Sequence, residues 1–382
     1  MKHPAIGAGY LKTGSWLETD NAPEAELEST EGAVFGTVLP LPFGGFLTDR
    51  LALGFAAFFP RGVFAELDVP APDVPQYVLL RNSGQQATLA PSMSIRLHDA
   101  LAVGGGAELF SNTDGEINAI VDANGDIQTL TGQEVYTSFA PIAGLMFRPG
   151  EIWTGLRPLS FGFVFREEFF THYRIPINSY VGSTPITLIF DATSLYTPRQ
   201  WTAGLAFQSE AYGFTAEFDA SYNEWSGFPD PNLFVDVAFE VPLIGVGFAD
   251  SEQLDPGFKD TVTLRTGVEK HVFDTPYFGF LAQGGYFYDP SPVPAQTGIT
   301  NYLDTDRHVF SGGLAFDVLG VGAWRFDGPI TVQATGQYHY LVPRRFHKDT
   351  NVPSDNPGYP EIGFSGSIWA VAFDISFAFD YY

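Results

Sequence analysis

Few residues in this sequence are spaced for bond-making chemistry. Glu167 and Glu168 come nearest to a carboxylate pair, but neighbours on a strand point to opposite faces and do not share a proton. The 7 histidines show no paired spacing. HExxH, a phosphate-cradling glycine loop and a GxSxG nucleophile elbow are all missing. Asp122, Asn124 and Asp126 place oxygens at alternate positions, as a calcium loop does. Ile127 then stands where that loop needs glycine, so an acidic exposed turn is the plainer reading. No catalytic residue, metal site or cofactor site is assigned, and the chain is not read as an enzyme. What remains is binding chemistry. Arg96, Arg166 and Arg265 sit among polar residues of alternating segments, where they either hold a ligand carboxylate or balance Glu217, Asp219 and Glu269.

The elements that must position these residues are strands. Between Pro329 and Leu341, Ile330, Val332, Ala334, Tyr338 and Tyr340 alternate with Thr331, Gln333, Thr335, Gln337 and His339. Phe214 to Asn223 and Phe373 to Tyr381 repeat the pattern. Such runs reach the roughly 9–11 residues a tilted membrane strand needs, whereas strands of soluble proteins average about 5–6. Charged residues are only 16% of the chain, against about 25% in soluble domains. Proline and glycine interrupt every apolar stretch before it reaches helical spanning length, as Pro40, Pro42, Gly44 and Gly45 do within 33–48. Lipid admits only helices or closed barrels, which leaves the barrel.

Fourteen strands are expected, over 5–18, 32–40, 50–60, 85–97, 100–112, 134–147, 157–172, 198–208, 211–225, 259–271, 275–289, 307–318, 326–341 and 361–382. The gaps between them alternate short and long, the asymmetry of periplasmic turns against extracellular loops, and an even count puts both termini at the short-turn side. The fold expected is all-β: a single-domain (1–382), transmembrane, antiparallel up-and-down barrel in the outer membrane of a Gram-negative bacterium. Residues 50–60 alternate poorly, which suggests a strand bent inward. The net charge of −25 argues against nucleic acid as a partner. Cysteine is absent, so no disulfide framework exists. No leader is evident at Met1, so an exported precursor is expected to begin further upstream.

One stretch is more specific. Tyr288-Asp289-Pro290-Ser291-Pro292-Val293-Pro294 is followed by Asp304-Thr305-Asp306-Arg307, and Pro198 and Trp225-Ser226-Gly227-Phe228 lie upstream. The order resembles the FadL family of outer-membrane transporters for long-chain fatty acids and aromatic hydrocarbons. The match is clearest over about 198–318. The resemblance implies a fourteen-stranded barrel that passes a hydrophobic small molecule through an envelope of lipid and lipopolysaccharide. It implies capture by outer loops, then sideways exit through a gap made by an inward kink of the third strand, with Gly54, Phe55 and Phe58 beside it. The motif residues Trp225, Asp289, Ser291, Pro292, Pro294, Asp304, Asp306 and Arg307 are expected to brace the loop rather than touch cargo. Capture falls to apolar loop residues: Val74, Tyr77, Val78, Leu79 and Leu80, and Ile175, Ile177, Tyr180, Val181 and Ile186. The family's N-terminal plug is not expected here, because the sequence opens on the first strand, and the third outer loop (113–133) is short and polar. The alternative is a non-transporting barrel that anchors an envelope complex, with a protein partner filling the lumen or gripping the periplasmic turns.

Overall fold

The computed structural model describes residues 4–20, 29–61, 73–80, 87–121, 127–181, 184–229, 234–241, 245–249, 255–321 and 324–379. Asp122, Asn124 and Asp126, and the terminal Tyr381 and Tyr382, lie outside them. In chain order the strands are β1 (Ala5–Asp20), β2 (Glu31–Pro40), β3 (Leu51–Pro60), β4 (Thr88–His98), β5 (Leu101–Val121), β6 (Ile127–Phe147), β7 (Leu159–Arg166), β8 (Phe169–Val181), β9 (Thr184–Thr197), β10 (Arg199–Ser209), β11 (Phe214–Glu224), β12 (Phe234–Val241), β13 (Gly245–Ala249), β14 (Thr261–Asp274), β15 (Phe278–Asp289), β16 (Arg307–Val321), β17 (Trp324–His347) and β18 (Glu361–Ala378).

Fourteen of these form the barrel. β1 to β7 pair in succession, β7 pairs with β10, β10 with β11, β11 with β14, and β14 to β18 follow in order. Closure comes from β18 lying antiparallel to β1, from Ala5 opposite Ala378 to Asp20 opposite Gly363. Every barrel strand answers to one expected from alternation. Both ends of the described chain lie at the short-turn end, where the Phe379 N–H donates to the Pro4 carbonyl at 3.1 Å. Turns there are tight: Gly213, at φ +54°, closes the link from β10 to β11 in a conformation suited to glycine.

The other end departs from expectation. The segments 113–133, 173–197 and 226–258 were read as loops, yet much of their length is strand. β5 and β6 run on as one hairpin to Val121 opposite Ile127. β8 lies parallel to β5 over Ile117–Ile120 and antiparallel to β9. β9 pairs with β12, and β12 with β13. These chains form a sheet beyond the barrel because an exposed strand edge there is paired by its neighbour. The expected strand 157–172 is correspondingly two, β7 and β8.

Alternation gives the two faces of the barrel different chemistry. Phe218, Leu264, Phe310, Leu314, Val332 and Phe373 are exposed on the outside. Trp201, Tyr222, Tyr338, Tyr340 and Trp369 ring the upper edge of this belt, and Phe46, Trp153, Tyr212 and Tyr277 ring the short-turn edge. An apolar band between aromatic girdles is the outer surface of a transmembrane barrel. Leu314→Arg, at the middle of β16, is expected to cost about 2–4 kcal/mol of folding free energy in liposomes. Thr335→Arg, on the lumen face, should cost far less. Urea unfolding of both variants checks this.

Candidate functional site

The lumen has two unlike walls. Cross-strand partners share a face, so register decides which side chains look inward. On β1 to β7 the inward positions include Gly7, Gly36, Ala52, Gly54, Ala56 and Ala90, then Ser92, Gly104, Gly106, Ile142, Gly144 and Val164. They border a hollow of about 660 Å³, within the size range of small-molecule sites. Small side chains leave the space, mostly glycine and alanine, with Ser92, Ser94, Glu108 and Arg166 as its polar edge. Across the lumen, β11 and β14 to β17 present Thr215, Glu217, Asp219, Glu269, Gln283, Thr335 and Gln337 around a polar hollow of about 510 Å³.

The mouth is closed by the chain itself. Residues 73–80 lie across the open end. The Gln76 N–H donates to the Asn301 carbonyl at 3.0 Å, and the Leu303 N–H donates to the Gln76 carbonyl at 2.8 Å. Asn301 Nδ2 donates to the Asp73 carbonyl at 2.6 Å and to Asn356 Oδ1 at 3.0 Å. Lys348 Nζ donates to the carbonyls of Thr300 at 2.6 Å and Gly298 at 3.0 Å. Burial lowers the Lys348 amine to about 8. Tyr77 is the apolar anchor, 1% exposed among Leu303, Leu341, Phe346, Ile362 and Phe364. Val78 and Leu79 pack on a second cluster of Tyr196, Phe228, Phe258, Val293 and Tyr302. Below the segment, Leu79 and Leu80 roof a cavity of about 610 Å³ with Leu11, Phe58 and Ile368. Leu79 also borders a neighbouring cavity of about 510 Å³ with Phe110, Leu195 and Trp225.

The motif residues cluster at the mouth. Asp306 accepts from the Tyr288 hydroxyl at 2.6 Å and the Ser291 N–H at 2.9 Å. Arg307 Nη2 donates to Asp289 Oδ2 at 2.5 Å, and Asp289 Oδ1 accepts from Thr263 at 2.7 Å. Such charge-assisted bonds fix a loop firmly. Pro292 is buried, and its carbonyl accepts from the Lys259 N–H at 2.9 Å. Pro294 holds Gln296 Nε2 at 3.2 Å. Trp225 packs on Tyr196, ring centroids 5.9 Å apart. Asp304 differs from its neighbours: it is 1% exposed, and neither carboxylate oxygen has a hydrogen-bond partner among the described residues. Burial pushes its carboxyl above the usual carboxylate range. Sequence reading missed Arg344, which donates to the carbonyls of Val293 at 2.8 Å and Asp304 at 3.2 Å and stacks its guanidinium 4.5 Å from the Phe346 ring. Its only sequence signal is a basic residue just beyond the alternating run of β17.

The other nominated residues separate. Phe58 and Gly54 face the lumen, in different cavities. Phe55 lies opposite Thr37 and packs its ring 6.5 Å from Phe35, on the outer face with Leu53 and Phe59. The expected kink at Gly54 is not found. β3 keeps one register with β2 from Gly32–Pro60 to Pro40–Ala52, and with β4 from Leu51–Ile95 to Phe58–Thr88. Its irregular sequence pattern reflects small residues on the lumen face, not a bend. The wall is interrupted one strand further on. The β4–β5 ladder lacks partners at Ala90 and Pro91, because proline has no N–H to give. Arg166 stands 3.7 Å from Glu108, Arg265 donates to Ser221 Oγ at 2.6 Å, and Arg96 lies near the short-turn end of β4 and borders none of the four cavities. Ile177 pairs with Leu188 and Ile175 with Phe190 in the outer sheet. Tyr180, Val181 and Ile186 belong to the same ribbon.

No known family model and no curated relative matches the sequence. Solved structures do match. A Pseudomonas aeruginosa FadL homologue aligns over 100% of this chain and 91% of its own at a TM-score of 0.57 and 13% identity. The P. putida toluene transporter TodX aligns over 100% and 91% at 0.53 and 12%. At such identities the likeness establishes the fold, and this chain is built as a FadL-type barrel.

Tyr77→Ala removes the anchor of the mouth segment. Truncating a buried aromatic costs about 3–5 kcal/mol, here borne by docking of 73–80 rather than by the barrel. Limited proteolysis of intact cells should cut within 73–80 in the variant and spare that segment in the wild type, with the barrel still resistant to SDS at room temperature.

Proposed function

We propose that this protein is a FadL-type transporter in the outer membrane of a Gram-negative bacterium, and that it carries hydrophobic small molecules across the lipopolysaccharide layer. The observation that carries the reading is the apolar hollow along β1 to β7, which continues along β3 from the cavity at Phe58 that Leu79 and Leu80 roof. The fold shared with a toluene transporter supports it. Cargo enters beside Val78, Leu79 and Leu80, since an apolar surface at a water-facing mouth is a binding surface. It descends past Phe58 along Ala56, Ala90 and Gly54, a wall that offers dispersion contact and no competing hydrogen bonds. Transfer from water into that hollow is favourable by roughly 25 cal/mol per Å² of apolar area removed from water.

Exit is sideways, at the β4–β5 seam. Opening a barrel wall in lipid exposes backbone groups, and each unsatisfied one costs several kcal/mol. Ala90 and Pro91 already lack ladder partners there, so the seam is unpaired at its middle before it parts. This reading puts the exit one strand beyond the position first expected at Gly54. An anchoring role would have another chain fill the lumen. The chain's own segment at the mouth and the open apolar hollow beneath it favour cargo instead.

Uptake of a labelled hydrocarbon by cells lacking their own hydrophobic-compound transporters tests both steps. Ala56→Trp fills the hollow and should lower initial uptake about tenfold or more without loss of barrel folding. Since the chain has 0 cysteines, Pro91→Cys with Ala107→Cys gives a clean cross-link at the seam. Oxidation should stop uptake and reduction should restore it. Uptake unaffected by the cross-link would place the exit elsewhere. Uptake unaffected by Ala56→Trp would remove the hollow from the path.

A further inference from the structure

The transport reading leaves the charge of the cargo open, and the lumen's own ion pairs decide it. Three inward arginines border the cavities, and each is already engaged. Arg307 is held by Asp289 at 2.5 Å, with both side chains largely covered. Arg166 faces Glu108 at 3.7 Å. Arg265 donates to Ser221 Oγ at 2.6 Å, stacks 5.6 Å over the Phe287 ring, and has Asp219 as its direct cross-strand neighbour.

Among the described residues the inward carboxylates outnumber the inward arginines, and of the three only Arg307 and Arg166 lie within 4 Å of a carboxylate. Glu217, Glu269, Asp317 and Asp374 also face inward, by the register of β11, β14, β16 and β18. Neutral donors hold two of them: Gln283 Nε2 reaches Glu269 at 2.9 Å, and Thr331 Oγ1 reaches Asp317 at 2.5 Å. Arg96, the remaining inward arginine, lies beyond the hollows at the short-turn end. The wall opposite the apolar hollow is therefore net negative. Within a narrow lumen of reduced dielectric, charge repulsion acts over longer distances than in bulk water. A carboxylate entering the hollow would also lose its hydration, and Arg166, the arginine that borders the hollow, already faces Glu108 at 3.7 Å.

We infer that the cargo is uncharged: a hydrocarbon that is bare or carries one hydrogen-bonding group such as an alcohol, ketone or ester, with ionised carboxylates turned away. Gln283, Gln333 and Gln337 supply donors and acceptors for such a group on the polar wall, while the chain lies along Gly54, Ala56 and Ala90. The inference rests on the transport reading above and narrows it to one substrate class.

The test compares a radiolabelled medium-chain alcohol with the carboxylate of the same chain length, at neutral pH, in transporter-deficient cells with and without this protein. The protein is expected to speed initial uptake of the alcohol at least about tenfold more than that of the carboxylate. Equal acceleration, or a preference for the carboxylate, overturns the inference and leaves transport standing. Acceleration of neither overturns transport itself, and the inference with it. A second variant isolates the electrostatic cause. Glu217→Gln combined with Glu269→Gln should raise carboxylate uptake severalfold while alcohol uptake stays as it was. An unchanged ratio in a folded variant would show that wall charge does not select the cargo.

Discussion

Backbone hydrogen bonding in hydrocarbon is the constraint on which everything else in this molecule rests. Each peptide group in the lipid must find a partner within the protein, and a sheet achieves that only by closing on itself. The long antiparallel seam between β18 and β1 performs the closure. Once the ring is shut, the period of two along every strand assigns each side chain to lipid or lumen, with no intermediate position. The apolar belt, the two aromatic girdles and the two unlike walls of the lumen all follow from that assignment. So does the effect of Pro91: a residue without an N–H leaves the β4–β5 ladder unpaired at that point.

Above the membrane a different economy holds. Water is available there, so strands can run past the bilayer and pair into an outer sheet, as β5, β6, β8, β9, β12 and β13 do. The buried core of this protein lies at the mouth, not inside the barrel. Tyr77, Leu303 and Ile362 are nearly inaccessible to solvent, while the lumen below keeps its cavities. Asn301, Asn356 and Lys348 satisfy the backbone of three crossing segments, as buried polar groups must.

The family resemblance and the structure inform different parts of this picture. The residues that carry the resemblance, from Asp289 to Arg307, brace the mouth with charge-assisted bonds, and Arg307 reaches the cavity edge. The residues that make the hollow are glycines, alanines and serines on β1 to β7, which no motif singles out. The hollow is defined by how little side chain those positions carry. Ile175 and Ile177 were chosen for apolarity alone, and their backbone belongs to the outer sheet instead.

All fourteen barrel strands, and the side on which the termini lie, were legible in the sequence. Alternation is a local property, and a closed wall in lipid enforces it residue by residue. β12 was legible as well: Val235, Val237, Phe239 and Val241 alternate with Asp236 and Glu240. It was read as loop because an outer sheet obeys no rule of membrane length. What only the tertiary structure decided is which segments meet. The docking of 73–80 on 299–303 and 341–364 joins residues more than two hundred positions apart. The pairing of Arg166 with Glu108 and of Arg307 with Asp289, and the interruption of the β4–β5 ladder, depend on register between strands. Register is fixed by the closure of the whole ring, so no single stretch of sequence carries it.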